Sequence, residues 1–292
     1  MRVLVIGCGY VGVPLGAELV RRGHEVWGLR RTPTAELEAA KIIPLAADIT
    51  RAEELARLPA GYDWVVNCVS AAGGGAEEYR RVYLQGTHNL IEWLAAAPPR
   101  KFVYTSSTSV YGQTDGSVVG EISPTEPVAG TGRILVETER VLLEAARQRR
   151  VPAVILRLAG IYGPGRGYWF RRYAQGLATI EGRGERFLNM IHREDVIGAI
   201  LAALERGKNG EVYNAVDDEP VSQLGFFEWL SARLGRELPA FVEERQGAGR
   251  KRGITNKRVS NRKLKEELNY QLKYPSFREG YAAEIKSETR DA

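Results

Sequence analysis

The sequence has little cysteine and no long apolar run. Two cysteines, Cys8 and Cys68, occur in 292 residues, and their spacing matches no metal-binding pattern. We therefore predict buried thiols at strand ends, with neither a disulfide framework nor a metal site. No stretch approaches the roughly 20 apolar residues that span a bilayer, and the apolar segment Val3–Ile6 is too short for a signal peptide. The sequence predicts a cytoplasmic protein that makes no contact with a membrane.

An excess of acidic residues is also missing. The 41 Lys and Arg outnumber the 36 Asp and Glu, which gives a net charge of +5. A mild positive field suits an anionic cofactor or small-molecule substrate, whereas nucleic-acid binding is not favoured because no basic and aromatic platform occurs. With 44% hydrophobic residues, the chain can bury a large core in one large domain or two modest ones.

The first twelve residues carry the strongest local pattern. The apolar run Val3–Ile6 leads into GCGYVG at residues 7–12, which is a predicted strand followed by a GxGxxG turn and a helical pattern. Such a turn brings a pyrophosphate close to the backbone and to the N–H groups at the helix start. This context favours a dinucleotide site over an ordinary glycine turn. The residues assigned to it are Gly7, Gly9, Tyr10, Val11 and Gly12.

Two arginines follow the second predicted strand, Glu25–Leu29. An NAD-binding protein usually has Asp or Glu at this position, where it binds the ribose hydroxyls. Here the residues are Arg30 and Arg31, and a guanidinium instead favours a 2′-phosphate. The pair therefore predicts NADP as the cofactor, with NAD as second choice. The alternative is that both arginines are solvated loop charges.

Further apolar segments alternate with helical patterns and predict the fold class. Strands are expected at Ile42–Ala46, Trp64–Val69 and Lys101–Thr105. The alternation predicts an α/β fold with a parallel, doubly wound sheet, in which ligands bind at the carboxyl ends of the strands. Those ends add Asp48, Ile49, Val69, Ser70 and Ala71 to the predicted cofactor site.

Asp48 has two interpretations that the sequence leaves open. Its carboxylate either accepts a hydrogen bond from the adenine amine or caps a predicted helix over Arg51–Arg57.

Four segments in family order carry a resemblance. TSSTSVYG at 105–112 resembles the SSxxVYG signature of extended short-chain dehydrogenase/reductases, the NAD-dependent epimerase/dehydratase superfamily. LRLAGIYGPG at 156–165, NMIHREDV at 189–196 and VYN at 212–214 resemble later segments of the same superfamily. The resemblance implies a Rossmann-type domain over 1–165. It also implies a small mixed α/β substrate lobe over 166–292, with segments at about 185–215 returning to the Rossmann core.

The resemblance implies a catalytic set of which part is missing. Ser107 matches the family hydroxyl that holds the substrate oxygen. The family's Tyr-x-x-x-Lys pair falls on Ala129 and Arg133, and an alanine transfers no proton, while arginine lacks the geometry of lysine. Tyr111 and Tyr162 are candidates for a substitute phenol, against the alternative that both are packing groups. The missing pair and the GxGxxG form of the loop make the chain similar to an atypical subgroup, the YeeZ-like proteins.

Beyond residue 165 the regular alternation ends. Helices are predicted at Tyr168–Ala178, Arg193–Leu204, Ser222–Leu234 (capped by Ser222) and Ser260–Leu268 (the last helix), strands at Arg183–Met190 and Glu211–Ala215, and a polar loop at Pro239–Thr255.

Several side chains around this lobe have open roles. His192 either moves protons or is a structural hydrogen-bonding group. Four arginines either hold an anionic group of the substrate or form surface ion pairs: Arg157, Arg166, Arg171 and Arg172.

Two functions fit the sequence. The first is an NAD(P)-dependent oxidoreductase or epimerase/dehydratase-like enzyme for a small, anionic or sugar-nucleotide substrate, with Ser107 and Tyr111 as catalytic residues. The second is a non-catalytic NADP(H)-binding sensor or scaffold protein, which Ala129 and Arg133 favour. The predicted helices over 77–97 and 132–149 correspond to the dimer-forming helices of the family, so the resemblance also implies a homodimer.

Overall fold

A computed structural model describes residues 1–71, 73, 75–243 and 255–288. Strands and helices alternate through its first part, as the sequence predicts. The elements in chain order are β1 (Arg2–Ile6), α1 (Gly12–Arg21), β2 (Glu25–Arg30), α2 (Ala35–Ala39), β3 (Ile43–Ala46), α3 (Ala52–Leu55), β4 (Trp64–Asn67), α4 (Ala76–Tyr79), a π-helical segment (Arg80–Gln85), α5 (Gly86–Ala95), β5 (Lys101–Ser107) and a 3₁₀ turn (Thr108–Val110).

The second part has longer helices and several two- or three-residue strands. In chain order these are β6 (Val118–Val119), α6 (Gly130–Arg147), β7 (Ala153–Leu158), β8 (Gly160–Tyr162), α7 (Tyr168–Ala174), β9 (Ile180–Glu181), β10 (Phe187–Leu188), β11 (Met190–His192), α8 (Arg193–Arg206), β12 (Val212–Ala215), β13 (Val221–Ser222), α9 (Gln223–Leu234), β14 (Phe241–Val242), β15 (Arg258–Val259), α10 (Arg262–Glu267) and α11 (Phe277–Glu288).

Seven strands form one central sheet, in the order β12-β7-β5-β4-β1-β2-β3. Every neighbouring pair is parallel, so the predicted α/β class with a doubly wound parallel sheet is confirmed. The chain runs outward from β1 to β3 on one side and from β4 to β12 on the other. The strand order therefore reverses between β1 and β4, and a ligand site is expected at the carboxyl ends of these two strands.

The sheet is buried on both faces because its strands are almost entirely apolar. In β1, Val3 and Val5 belong to the apolar cluster on one face, and Leu4 and Ile6 belong to the cluster on the other. All four are at most 1% exposed, and burying such a side chain contributes about 1.5 to 3 kcal/mol. This burial holds β1 rigidly, and the glycine loop begins directly at its end.

A third apolar cluster lies beneath the C-terminal helix. Phe277 and Tyr281 of α11 are at most 2% exposed, and the Tyr281 ring stacks on Tyr162 with centroids 4.4 Å apart. The prediction that Ser260–Leu268 is the last helix is therefore wrong. That segment forms the shorter α10, and α11 follows it because its apolar residues are needed to cover Tyr162.

The predicted strand Arg183–Met190 is shorter than expected. Pairing is confined to β10 and β11 on either side of Asn189. The Asn189 amide donates to the Lys257 carbonyl at 2.9 Å and its oxygen accepts from the Val259 amide at 2.8 Å, so this residue ties the break to a distant segment. The predicted polar loop Pro239–Thr255 contains β14, and residues 244–254 lie outside the described residues.

The two predicted helix caps have different outcomes. Ser222 caps α9, because its hydroxyl accepts from the Gly225 amide at 3.0 Å. The cap interpretation of Asp48 is wrong, since α3 begins after Arg51 without a side-chain cap. The Asp48 carboxylate instead accepts from the Thr50 amide at 2.9 Å within its own turn.

The predicted helix over 77–97 consists of α4, the π-helical segment and α5 in continuous succession. It lies beside α6, where Arg80 and Glu137 form an ion pair at 3.3 Å. The homodimer through these helices stays a prediction. Within the described ranges, no helix has both the length and the apolar composition for a membrane span, and no group of three or more potential metal ligands occurs.

Candidate active site

A cleft of about 880 Å³ lies at the carboxyl edge of the sheet, where the strand order reverses. Most of the residues predicted to bind the cofactor line it: Gly7, Gly9, Tyr10, Val11, Arg30, Arg31, Asp48, Ile49, Val69 and Ser70. Gly12 packs against the Gly7 carbonyl beneath the loop, and Ala71 is not among the lining residues. Ser107 also lines the cleft, so residues from five strand ends come together here.

The glycine loop has the shape that a bound pyrophosphate needs. Gly7 has φ +85°, and a Cβ there would lie 2.7 Å from the Val69 amide nitrogen. At Gly12 a Cβ would lie 2.6 Å from the Gly7 carbonyl oxygen, whereas a Cβ at Gly9 would meet nothing within 4 Å. The loop is therefore closely packed on its inner side and open to a ligand at Gly9.

The Tyr10 ring contacts two guanidinium groups. The Cζ atoms of Arg166 and Arg193 lie 4.9 and 5.0 Å from the centre of its ring. Its hydroxyl is buried and has no hydrogen-bond partner in the part of the chain that the structure describes. Burial raises the pKa of Tyr10 above its ordinary value, so the phenol is neutral at physiological pH. A buried hydroxyl of this kind is expected to bind a ligand or a water molecule.

Arg30 is fixed at the far end of the cleft. Its Nη1 donates to the Cys8 carbonyl at 3.1 Å and to the Thr34 hydroxyl at 3.0 Å. The half-buried guanidinium is thus oriented by the glycine loop itself, with other N–H groups remaining for a ligand. Arg31 is exposed at the same end.

Ser107 ends β5 with its hydroxyl on the cleft. Its Oγ accepts a hydrogen bond from the Ser109 amide at 3.2 Å, so the position of the oxygen is set by the backbone of the 3₁₀ turn. The hydroxyl proton remains available to a substrate oxygen. This arrangement suits a group that holds a substrate rather than one that attacks it, because no described residue serves as a base for the Ser107 hydroxyl.

Tyr111 does not reach the cleft. It is 0% exposed, and its hydroxyl donates to Asn214 Oδ1 and accepts from Arg157 Nη1, both at 2.8 Å. Burial, only partly opposed by Arg157, raises the pKa of Tyr111. The prediction that Tyr111 acts as the catalytic phenol is therefore wrong. Tyr162 is excluded for the same reason, since it is 1% exposed beneath α11.

The positions of the missing Tyr-x-x-x-Lys pair point away from the cleft. Ala129 is the residue that precedes α6, and the exposed Arg133 donates to the Val128 carbonyl at 2.7 Å. Arg133 instead borders a separate cavity of about 240 Å³ between α4 and α6. It therefore does not replace the cationic function of the missing lysine.

The four candidate arginines also differ in position. Arg166 lines the cleft, and no described carboxylate pairs with it. Arg157 is an interior residue that binds Glu139, so it is not a candidate for the substrate. Arg171 is exposed, and Arg172 donates to the Leu177 carbonyl.

His192 is a structural residue at the start of α8. It is 1% exposed, and its Nδ1 accepts from the Glu194 amide at 3.2 Å, so the proton of the neutral ring is on Nε2, which faces Glu284 at 3.3 Å. Burial lowers the pKa of His192 to about 4. Both nitrogens are thus engaged away from the cleft, which supports the structural interpretation over proton transfer.

This burial makes His192 a source of acid sensitivity. Between pH 6.5 and about 4 the unfolded state binds a proton that the folded state does not, so stability falls as the pH is lowered through this window. The loss should reach about 3 kcal/mol. Asparagine at position 192 keeps a capping acceptor but cannot titrate. We therefore expect the free energy of unfolding of His192→Asn, measured by urea denaturation, to fall less steeply with decreasing pH than that of wild type. The exposed His88 provides the control, since the stability of His88→Asn should depend on pH in the same way as that of wild type.

Sequence reasoning missed the part of the lining that comes from helices. Glu78 lines the cleft from α4, Arg81 and Tyr83 line it from the π-helical segment, and Tyr168 lines it from the start of α7. No motif marks these residues. A usable signal was the spacing of Glu78, Arg81 and Val82, which places them on one helical face.

The chain is similar to a known protein family and to individual proteins. The NAD dependent epimerase/dehydratase family matches residues 3–215. Protein YeeZ of Escherichia coli K12 is 32% identical over 285 residues, which cover 94% of this chain and 96% of YeeZ. A conserved protein of unknown function from Silicibacter pomeroyi shares 30% identity with a TM-score of 0.77, covering 97% of each chain. DesIV, a dTDP-glucose 4,6-dehydratase from Streptomyces venezuelae solved with NAD and TYD, shares the fold at 22% identity, with a TM-score of 0.83 and coverage of 98% and 96%.

Proposed function

The chain belongs to the NAD-dependent epimerase/dehydratase family, and we propose that it is an NADP(H)-dependent oxidoreductase or epimerase/dehydratase-like enzyme for a small anionic substrate. The observation that carries this proposal is the single cleft that joins the glycine loop, Arg30 and Ser107. Relatives in the family include a dTDP-glucose 4,6-dehydratase, so a sugar nucleotide is one substrate class that fits.

The residues present fit a dinucleotide. The backbone at Gly9 is open, and the N–H groups at the start of α1, which follows it, have no partners within the helix. A pyrophosphate at this position would satisfy these donors and benefit from the partial positive charge of the helix start. When bound, the nicotinamide supplies or accepts a hydride.

NADP rather than NAD is supported by the charge at the adenosine end. Arg30 is oriented by Cys8 and Thr34, and Arg31 lies beside it. A 2′-phosphate would receive charge-assisted hydrogen bonds from this pair. An NAD-binding protein is expected to have a carboxylate at the end of β2 that binds the ribose diol. No described carboxylate occupies that position here.

The protein's own part in the reaction is to hold and polarise the substrate oxygen. Ser107 donates its hydroxyl proton to that oxygen while its own oxygen is held by the Ser109 amide. As negative charge develops on the substrate oxygen, this fixed donor stabilises it without reorganisation. The hydroxyl thus favours the transition state over the bound ground state.

Arg166 supports the anionic substrate class. It is the last residue of a tight turn, in which the backbone groups of Gly163 and Arg166 exchange hydrogen bonds at 2.8 and 2.9 Å. Its guanidinium is exposed to the cleft over the Tyr10 ring. A phosphate or carboxylate on the substrate would neutralise this cation beside the cofactor site.

A titration of both cofactors tests the proposal. We expect wild type to bind NADPH at least tenfold more tightly than NADH, and Arg30→Ala to lose about 10- to 100-fold of its NADPH affinity with little change for NADH, since one charge-assisted contact is removed. Fluorescence titration or calorimetry measures both dissociation constants. Arg147→Ala, which removes an exposed arginine outside the cleft lining, is the control. Equal affinities of wild type for NADPH and NADH would refute the role of Arg30.

A non-catalytic NADP(H)-binding sensor or scaffold is the second candidate, favoured by Ala129 and Arg133. It predicts tight NADPH binding without chemistry. Transfer of deuterium from carbon-labelled NADPH to any member of a carbonyl and nucleotide-sugar panel would exclude it, whereas tight binding with no transfer would favour it.

A further inference from the structure

The proposed reaction needs a proton donor that the sequence motifs do not supply. Among the residues that the structure describes, three tyrosines line the cleft: Tyr10, Tyr83 and Tyr168. A phenol in this role must reach the substrate oxygen and must also be held in a defined orientation. These two requirements separate the three candidates.

Tyr10 and Tyr168 each fail one requirement. The buried Tyr10 hydroxyl lies beside Gly163 and has no hydrogen-bond partner among the described residues, so no contact directs it toward a defined atom. Tyr168 is 65% exposed, and its ring contacts are with Trp169 and Arg172 near the surface. Its hydroxyl is therefore not oriented toward a defined atom.

Tyr83 meets both requirements. It is half-buried, and its oxygen accepts a hydrogen bond from the Ala71 amide at 3.2 Å, while its ring packs against Tyr79 with centroids 4.9 Å apart. The peptide N–H fixes the phenol oxygen and stabilises negative charge that develops on it. The orientation of Tyr83 is thus set by backbone and packing together.

The backbone around Tyr83 is unusual. Tyr83 lies in the π-helical segment Arg80–Gln85, and π-helical turns are rare and often occur at functional sites. The wider turn changes which residues face the sheet compared with a continuous α-helix. Here its result is a tyrosine at the cleft, with Val82 and Leu84 buried on either side of it.

Tyr83 and Ser107 are each held near the end of one of two neighbouring strands. β4 and β5 are paired, with Asn67 opposite Tyr104. Ala71, which binds the Tyr83 oxygen, follows β4, and Ser107 ends β5. Tyr83 and Ser107 both line the cleft, which is the placement that two groups acting on one substrate oxygen require.

We infer that Tyr83 is the catalytic phenol that takes the place of the missing tyrosine, and this inference rests on the proposed function. In the reducing direction, a bound NADPH would supply a hydride to the carbonyl carbon of the substrate. The π electron pair moves to the oxygen, which takes the Tyr83 proton. The phenolate, stabilised by the Ala71 N–H, regains a proton from water. In the oxidising direction the same groups act in reverse.

Tyr83→Phe tests this inference. We expect kcat to fall about 100- to 10,000-fold, with KM, NADPH affinity and melting temperature close to wild type. Tyr62→Phe is the matched control and should keep kcat near wild type, because it removes a hydroxyl that has no partner among the described residues and lies outside the cleft lining. A KM increase with unchanged kcat would instead mean a binding role for Tyr83 and would overturn the inference.

A second measurement does not depend on turnover. In protein labelled with 3-fluorotyrosine, the fluorine resonance of Tyr83 is identified by its absence from the spectrum of Tyr83→Phe. Because Tyr83 lies in the cleft, this resonance should shift when NADP⁺ is added. An unresponsive Tyr83 resonance in protein that binds NADP⁺ would contradict the inference. The fluorinated phenol is also more acidic, so the pH profile of kcat should move to lower pH in labelled wild type.

The two possible failures can be told apart. If wild type transfers no deuterium from labelled NADPH to any substrate, the proposed function fails and the role of Tyr83 falls with it. If wild type transfers deuterium and Tyr83→Phe does so at the same rate, the inference alone fails. Loss of turnover in Tyr168→Phe instead would assign the role to that residue.

Discussion

Replacing Arg157 with methionine is expected to lower the free energy of unfolding by about 3 to 5 kcal/mol. Arg157 and Glu139 are 5% and 3% exposed, and Arg157 Nη2 donates to Glu139 Oε2 at 2.7 Å. Although burial alone would lower it, the Glu139 carboxylate raises the pKa of Arg157. Without the guanidinium, the buried Glu139 carboxylate would lose its positively charged partner. It would keep the hydrogen bond from the Ser106 hydroxyl at 2.5 Å, which is a neutral donor.

The effect should be large because Arg157 serves several partners. It also donates to the Tyr111 hydroxyl and the Glu121 carbonyl, at 2.8 and 3.2 Å. These contacts join β5, α6 and β7 in the interior, directly behind the strand end that carries Ser107. The substitution is therefore expected to reduce NADPH turnover as well as stability, by loosening the position of Ser107.

Urea denaturation can separate this interpretation from a general effect of losing an arginine. Arg150 pairs with Glu92 at the surface, with 39% and 68% of their side chains exposed, so Arg150→Met should change stability by less than about 1 kcal/mol. The double variant Arg157→Met/Glu139→Leu should recover much of the loss, since no unpaired charge remains. A single Arg157 variant as stable as the Arg150 variant would contradict the argument.

The sheet and the location of the cleft could be predicted because both follow from local patterns. Apolar segments such as Val3–Ile6 alternate with helical ones, and parallel strands bring their carboxyl ends to one edge. Arg30 and Ser70 were therefore assigned to the same cleft although they are 40 positions apart, and both line it. Strand order was not needed for this prediction.

The wrong assignment of Tyr111 has a different cause. A motif gives the identity of a residue near the site but not the direction of its side chain. The Tyr111 hydroxyl is turned inward by Arg157 and Asn214, which lie 46 and 103 positions further along the chain. The sequence offers no local signal for contacts of this kind, because they depend on the order of β5, β7 and β12 in the sheet.

The position of Tyr83 at the cleft could not be predicted from the sequence. A helical pattern predicts which face of a helix is buried, but it does not predict where a π-helical turn interrupts that helix. Over 77–97 the apolar spacing predicts one continuous α-helix, and the π-helical segment arises inside it. The extra residue per turn is stabilised by tertiary contacts, including the Tyr83–Ala71 hydrogen bond. Propensity gives no warning of such a segment.

Replacing Ser107 with alanine is expected to lower kcat about 100- to 1,000-fold, because one oriented donor to the developing oxyanion is removed. Binding of NADPH should change little, since the hydroxyl is directed to the substrate rather than to the glycine loop. The measurement is the rate of deuterium transfer from labelled NADPH to whichever panel compound wild type turns over. Ser107→Thr retains a hydroxyl and should restore a substantial part of the rate.

Ser109→Ala is the matched control for this prediction. It changes a hydroxyl two residues away, outside the cleft lining, and keeps the amide that holds the Ser107 oxygen. Its kcat should therefore remain near wild type. Equal rates for Ser107→Ala and wild type would show that the retained family serine has no catalytic function in this chain.

Ser107 and Tyr83 should also fail to act independently. If both bind the same substrate oxygen, removing either one disrupts the stabilisation of that oxygen, and the second substitution then removes little more. The variant Ser107→Ala/Tyr83→Phe should thus be only slightly slower than the slower single variant. Losses that multiply would mean that the two hydroxyls act on different atoms. In that case Ser107 would keep its role as oxyanion donor, and the proton would have to come from another group at the cleft.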